Sequence, residues 1–177
     1  MRNEETENGE QWDLSRHHPD HEWLKRFNRW ELTVNLTYPK KQSWKKGMKT
    51  HIREVNQFFG ELSYELTGRP RPEELSWFVC WQVEKDHLHI HGVLGSNDKV
   101  NILKGRENSF TGYPALISFL GRKWIHGQSF YEIIHDQDGW INYITRPGTV
   151  VGTWSSPAMQ SLKSQGLERR VNEVLAR

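Results

Sequence analysis

Two strand-like runs, residues 75–84 and 87–95, are separated only by Lys85 and Asp86. A two-residue link between such runs forms a tight antiparallel hairpin. The hairpin sets a register, and register decides which side chains share a face. Glu84 falls opposite His87, Gln82 opposite His89, and Cys80 opposite His91. The second run reads HLHIHGVLG, so His87, His89 and His91 project together, while Leu88, Ile90 and Val93 are expected to help define the other face. The two strands thus gather His87, His89, His91, Gln82 and Glu84 into one patch. Two imidazoles with a carboxylate or amide oxygen suit a divalent metal that keeps open positions. Such a metal polarises a phosphoryl oxygen. A strand whose histidines simply face water has the same pattern, so the hairpin alone does not decide.

The rest of the chain surrounds this hairpin with alternating element types. ELTVNLT, residues 31–37, alternates like a strand and ends at Tyr38-Pro39. Ser43 can cap a helix over 43–66, whose apolar residues Trp44, Met48, Ile52, Val55, Phe59, Leu62 and Leu66 recur three or four apart. Gly68 to Pro72 breaks it. Beyond the hairpin, 96–112 reads as loop with a short strand at 100–103, and 114–124 as a helix with proline in its first turn. SFYEII, 129–134, reads as a fourth strand. A short helix follows over 136–146, and a last one over 157–177. The order β-α-β-β-α-β-α predicts an α+β fold, with a ferredoxin-like or RRM-like central antiparallel sheet and flanking helices. The expected layout is a flexible segment over 1–20, one domain over 21–150, and a helical extension over 151–177. That fold hosts many activities, so the site must carry the functional argument.

Composition narrows the classes. The chain has 177 residues, with nine Trp, seven Phe and five Tyr. That aromatic load argues for a packed core despite a mean hydropathy of −0.82. Net charge is only +2, but its distribution is uneven. Glu4, Glu5, Glu7 and Glu10 open the chain, whereas Lys40, Lys41, Lys45, Lys46, Lys49 and Arg53 form a basic run without an acid. Such a run is either a footprint for a polyanion or a solvated helix face. Cys80 is the single cysteine, which excludes an internal disulfide and a cysteine zinc site; in its apolar strand it is expected to be buried. No apolar stretch reaches membrane-spanning length, and no signal-peptide pattern is present. The expectation is a soluble, intracellular protein with no membrane partner. His17, His18 and His21, in the polar lead-in, read as exposed loop residues.

A second reactive feature lies downstream. In WINYITRPG, Tyr143 and Arg146 are three apart and share a helix face. A nearby cation favours the phenolate, so this Tyr is a nucleophile candidate. A tyrosine packed in the core beside a surface arginine is the alternative. Tyr131 is a weaker candidate, because its strand-like context reads as packing.

Taken in order, LTVNLTYP, HIHGVL (residues 89–94), KWIHGQSFYEII and YITR resemble motifs of the HUH endonucleases, in particular the single-tyrosine initiators (Rep proteins) of rolling-circle replication. The resemblance spans roughly residues 31–148. It implies a nicking domain in which His89, His91 and Gln82 hold Mg²⁺ or Mn²⁺. Glu84 is the alternative third ligand, and with it the pair could shift to His87 and His89. Tyr143 would attack a scissile phosphate of single-stranded DNA at a replication origin, giving a 5′-phosphotyrosine. Arg146 stands where the family has lysine; it keeps the charge but does not donate a proton. Lys40, Lys41, Lys45, Lys46, Lys49 and Arg53 would contact the DNA backbone. No phosphate-loop motif accompanies the domain, so a host helicase and polymerase are expected partners. The expected compartment is the cytoplasm of a bacterial or archaeal host, or the nucleus for a eukaryotic virus. A transposase or plasmid-mobilising relaxase of the same superfamily, and a non-catalytic RRM-like nucleic-acid-binding module, are the alternatives.

Overall fold

A computed structural model describes residues 21–27, 29–39, 47–84, 87–104, 110–146 and 150–156. The chain runs α1 (His21–Arg26), β1 (Trp30–Thr37), α2 (Met48–Thr67), a 3-10 turn (Pro72–Glu74), β2 (Ser76–Glu84), β3 (His87–Gly95), α3 (Tyr113–Lys123), β4 (Ser129–Phe130), α4 (Gln137–Ile144) and β5 (Val150–Ser155). The described strands pair antiparallel in one five-stranded sheet, ordered β4-β1-β3-β2-β5. This is the expected α+β class, and the layout is compatible with a ferredoxin-like arrangement.

The central hairpin has the register its sequence dictates. Gln82 pairs with His89, Cys80 with His91 and Glu84 with His87. On the other side of β3, Asn35 pairs with His91 and Thr37 with His89. The intervening residues Lys85 and Asp86 lie outside the described residues.

The two faces of the sheet carry unequal cores. On one face, Val55, Phe59, Leu62 and Leu66 of α2 pack with Leu116 and Leu120 of α3 against Leu32, Val34, Leu36, Trp77, Trp81 and Ile90. The spacing of the α2 residues puts them on one stripe, which is why that stretch is helical. Phe59 stacks on Trp77 with ring centroids 4.4 Å apart. Gly68, at φ 74°, ends α2 in the left-handed conformation and donates its N–H to the Tyr64 carbonyl at 2.8 Å. The opposite face holds a smaller cluster of Leu24, Trp30, Phe78, Cys80, Val93, Ile141 and Ile144, under α1 and α4. Val93 therefore shares the histidine face, against expectation: as residue i+2 from His91 it obeys the two-residue period that the glycine at 92 does not interrupt.

Several expectations change. Residues 100–103 form a turn, in which Asn97 accepts from the N–H groups of Lys99 and Val100. Their apolar side chains Val100 and Ile102 anchor the loop to the main core without entering a ladder. SFYEII is a strand only at Ser129–Phe130. Beyond them the register with β1 holds, but the Thr33 hydroxyl takes the Glu132 N–H, and the pairing is reduced to a single bridge at Ile133. The long helix starts at Met48 behind Gly47. Ser43 and Trp44, its expected start, and the N-terminal 1–20 lie outside the described residues. The extension expected to be helical from 151 begins instead within strand β5, which covers the free edge of β2; residues 157–177 lie outside the described residues. His21, read as a loop residue, opens α1 and bonds Asn142 at 2.7 Å. Among the described residues, no helix is long and apolar enough to cross a membrane.

Candidate active site

The histidines rise from β3 onto the more open side of the smaller cluster. His89 and His91 lie with their rings parallel, centroids 5.9 Å apart and planes 2° apart. His87 follows at 5.8 Å from His89. His91 is only 8% exposed. Its Nδ1 meets Asn35 Oδ1 at 2.7 Å. An Nδ1–H donated to that amide oxygen leaves Nε2 as the lone-pair nitrogen, the state in which a histidine ligates metal.

Gln82 is fully buried between this row and α4. Its Nε2 donates to the Ile144 carbonyl at 2.6 Å. Its Oε1 is buried without a hydrogen-bond partner among the described residues. A buried amide oxygen left unmatched costs on the order of 1–3 kcal/mol, and a cation is one agent that removes the cost. The donor set therefore fits a divalent ion held by His89, His91 and the Gln82 oxygen. Among the described residues no three His, Cys, Asp or Glu side chains are arranged to hold a metal, so the three histidines do not form such a site by themselves. Glu84 pairs with His87 in the ladder, but its side chain lies outside the described residues.

Helix α4 brings Tyr143 to this row. Asp136 caps the helix by accepting the Gly139 N–H at 2.9 Å. Ile141 and Ile144 bury against the sheet, which leaves Tyr143 on the rim, 36% exposed. Its ring meets His91 edge to face, with centroids 5.3 Å apart. Trp140 stacks beside Tyr143 at 5.2 Å, and its indole N–H donates to the Gly92 carbonyl at 3.0 Å. Gly92 is required where it stands: a Cβ there would strike the Phe78 carbonyl oxygen and come within 2.7 Å of Val79 Cγ1. The Arg146 guanidinium lies over the Tyr143 ring, 4.4 Å from its centroid.

The candidates separate accordingly. His89, His91, Gln82, Tyr143 and Arg146 come together. Tyr131 does not join them: it is 6% exposed in the main core, stacks on Phe58, and bonds the Leu120 carbonyl. Burial pushes its phenol well above the usual tyrosine range, the wrong direction for a nucleophile. Lys49 and Arg53 are exposed on α2; Lys40, Lys41, Lys45 and Lys46 lie outside the described residues. Asn35 and Trp140 are the site residues that sequence reasoning missed. Asn35 carried a weak signal, as the one amide among the alternating polar residues Glu31, Thr33, Asn35 and Thr37 of β1.

No family model matches the chain, and neither a curated protein nor a solved structure does.

Proposed function

We propose that this chain is a metal-dependent, sequence-specific single-stranded DNA nickase and ligase of the HUH type, on a ferredoxin-like or RRM-like sheet, which initiates rolling-circle replication. One observation carries the reading. Tyr143, an exposed phenol, contacts His91, while Gln82, in register with His89, is bonded to the last turn of the same helix. The Gln82 amide thereby links the nucleophile helix to the donor set through one hydrogen bond.

Mg²⁺ or Mn²⁺, bound by His89, His91 and Gln82, would supply Lewis-acid polarisation of the scissile phosphate. The chain's own residues do the rest. Asn35 orients the His91 ring. Trp140 and Arg146 hold the Tyr143 ring between an indole and a guanidinium. Tyr143 Oη bonds to phosphorus as the P–O3′ bond breaks, and the phenolic proton is balanced by the one the 3′-oxygen gains. The 5′-phosphotyrosine conserves the bond for rejoining, and the free 3′-OH is available to a host polymerase behind a host helicase. Arg146, once drawn from the ring, offers a bidentate clamp for the phosphate. The setting that fits is the cytoplasm of a plasmid- or phage-bearing cell.

The test is a covalent adduct with single-stranded oligonucleotides in Mn²⁺, resolved on denaturing gels. Wild type and Tyr131→Phe should form it, and Tyr143→Phe should not. An adduct that persists in Tyr143→Phe removes this nucleophile. Binding without adduct in any sequence favours a non-catalytic RRM-like module.

A further inference from the structure

The histidine face does not end at β3. Phe130 of β4 pairs with Asn35 of β1, and Asn35 pairs with His91. Residues directly opposed across a ladder share a face, so Phe130, Asn35 and His91 form one row. Alternation along the chain gives the same answer independently. Tyr131, the next residue, points into the main core on the opposite side.

Phe130 is 58% exposed, on an edge strand of two residues. With strands about 4.8 Å apart, its backbone stands about 10 Å from that of His91 across the sheet. The span suits the nucleotide next to a phosphate held at the histidines, or the one beyond it. Helices α1 and α4 bury the Phe78, Cys80 and Val93 part of this face; Thr37, Asn35 and His89 remain partly exposed and Phe130 openly so. The open strip thus runs from Tyr143 past the histidines to Phe130.

The neighbours of Phe130 indicate its occupant. Gln128 and Glu132 are exposed, and Ser129 and Asn35 are half-buried, all polar, while the exposed Ile133 pairs with Leu32 and so belongs to the opposite face. A protein partner selects contiguous apolar surface. A lone ring on a polar strip is instead the form of a stacking platform, since every base offers a π-face and polar edges.

We infer that Phe130 is a base-stacking subsite for an unpaired nucleotide flanking the scissile phosphate. The inference rests on the nickase reading, whose substrate it locates on the sheet. The probe is a short single-stranded oligonucleotide selected from a random pool by binding to the full chain, together with its series of single abasic variants. In the wild type, one abasic position should weaken binding about tenfold. In Phe130→Ala that position should no longer matter, and Phe130→Trp should restore the sensitivity and show indole quenching on binding. Tyr143→Phe should leave the whole pattern unchanged while losing the adduct. An abasic series identical in wild type and Phe130→Ala overturns the platform, whether or not the adduct forms. A position-specific coupling without any adduct upholds the platform and sinks the nickase. A pool that yields no binder overturns both, and self-association lost in Phe130→Ala, with unchanged oligonucleotide binding, makes the ring a contact between copies.

Discussion

Asn35 decides which edge of the His91 ring is offered to the site, and it does so from the neighbouring strand. Replacing such an orienting partner costs roughly 10–100-fold in metal affinity. Asn35→Ala should therefore weaken Mn²⁺ binding by about that factor in calorimetric titration, whereas Asn35→Asp, which keeps the acceptor oxygen, should largely preserve it. Equal affinities in Asn35→Ala and wild type would remove this role. The residue scale was only partly legible in the sequence. The patch of His87, His89, His91, Gln82 and Glu84 was readable because a two-residue hairpin leaves one register, and the resemblance of HIHGVL singled out His89, His91 and Gln82 within it. Tyr143 was readable as a candidate because WINYITRPG puts Arg146 three residues on, on the same helix face. Asn35 and Trp140 were not, since each acts through a partner far along the chain: the β1–β3 register for one, the Gly92 carbonyl for the other.

At the scale of elements, β3 is gripped on both sides and packed close to β2 at Gly92. A methyl group there meets main chain, which cannot turn aside as a side-chain tip would. Gly92→Ala should cost on the order of 1–3 kcal/mol in urea unfolding. It should also slow adduct formation by shifting the Gly92 carbonyl that holds Trp140. A variant as stable as wild type would show that the sheet relaxes freely at this point. The hairpin was legible from its two-residue link, α2 from its apolar period and α3 from the proline in its first turn. Strand β5 was not: VVGTWS is short, follows Pro147-Gly148, and gains its identity only from the open edge of β2. The shortening of SFYEII was hidden for a related reason, because the Thr33 hydroxyl, on another strand, takes the Glu132 N–H out of the ladder.

For the whole molecule, alkaline stability reports the phenols. Burial, helped by a hydrogen bond to Glu31 at 2.8 Å and by that carboxylate's charge, pushes Tyr113 up to about 12. Burial moves Tyr38 and Tyr131 the same way. The fold thus prefers the protonated phenol, while an unperturbed tyrosine, as in the unfolded chain, ionises at about pH 10. Their contribution is complete below that value and is lost as pH climbs through the folded-state range. The thermal midpoint should fall above pH 10, and Tyr113→Phe should make the fall shallower; an unchanged slope would dismiss the Tyr113 contribution. The unequal cores have a separate consequence, for motion. Helix α4 is seated on the small cluster, α2 on the large one. Fewer buried contacts mean a lower free energy of local opening. In native-state hydrogen exchange, α4 amides should lose protection well before those of α2 and β3. Exchange of all three at one rate would make the domain a single cooperative block. A nucleophile helix that opens alone is a hinge, able to swing a covalently attached strand away from the histidines while the scaffold beneath stays folded.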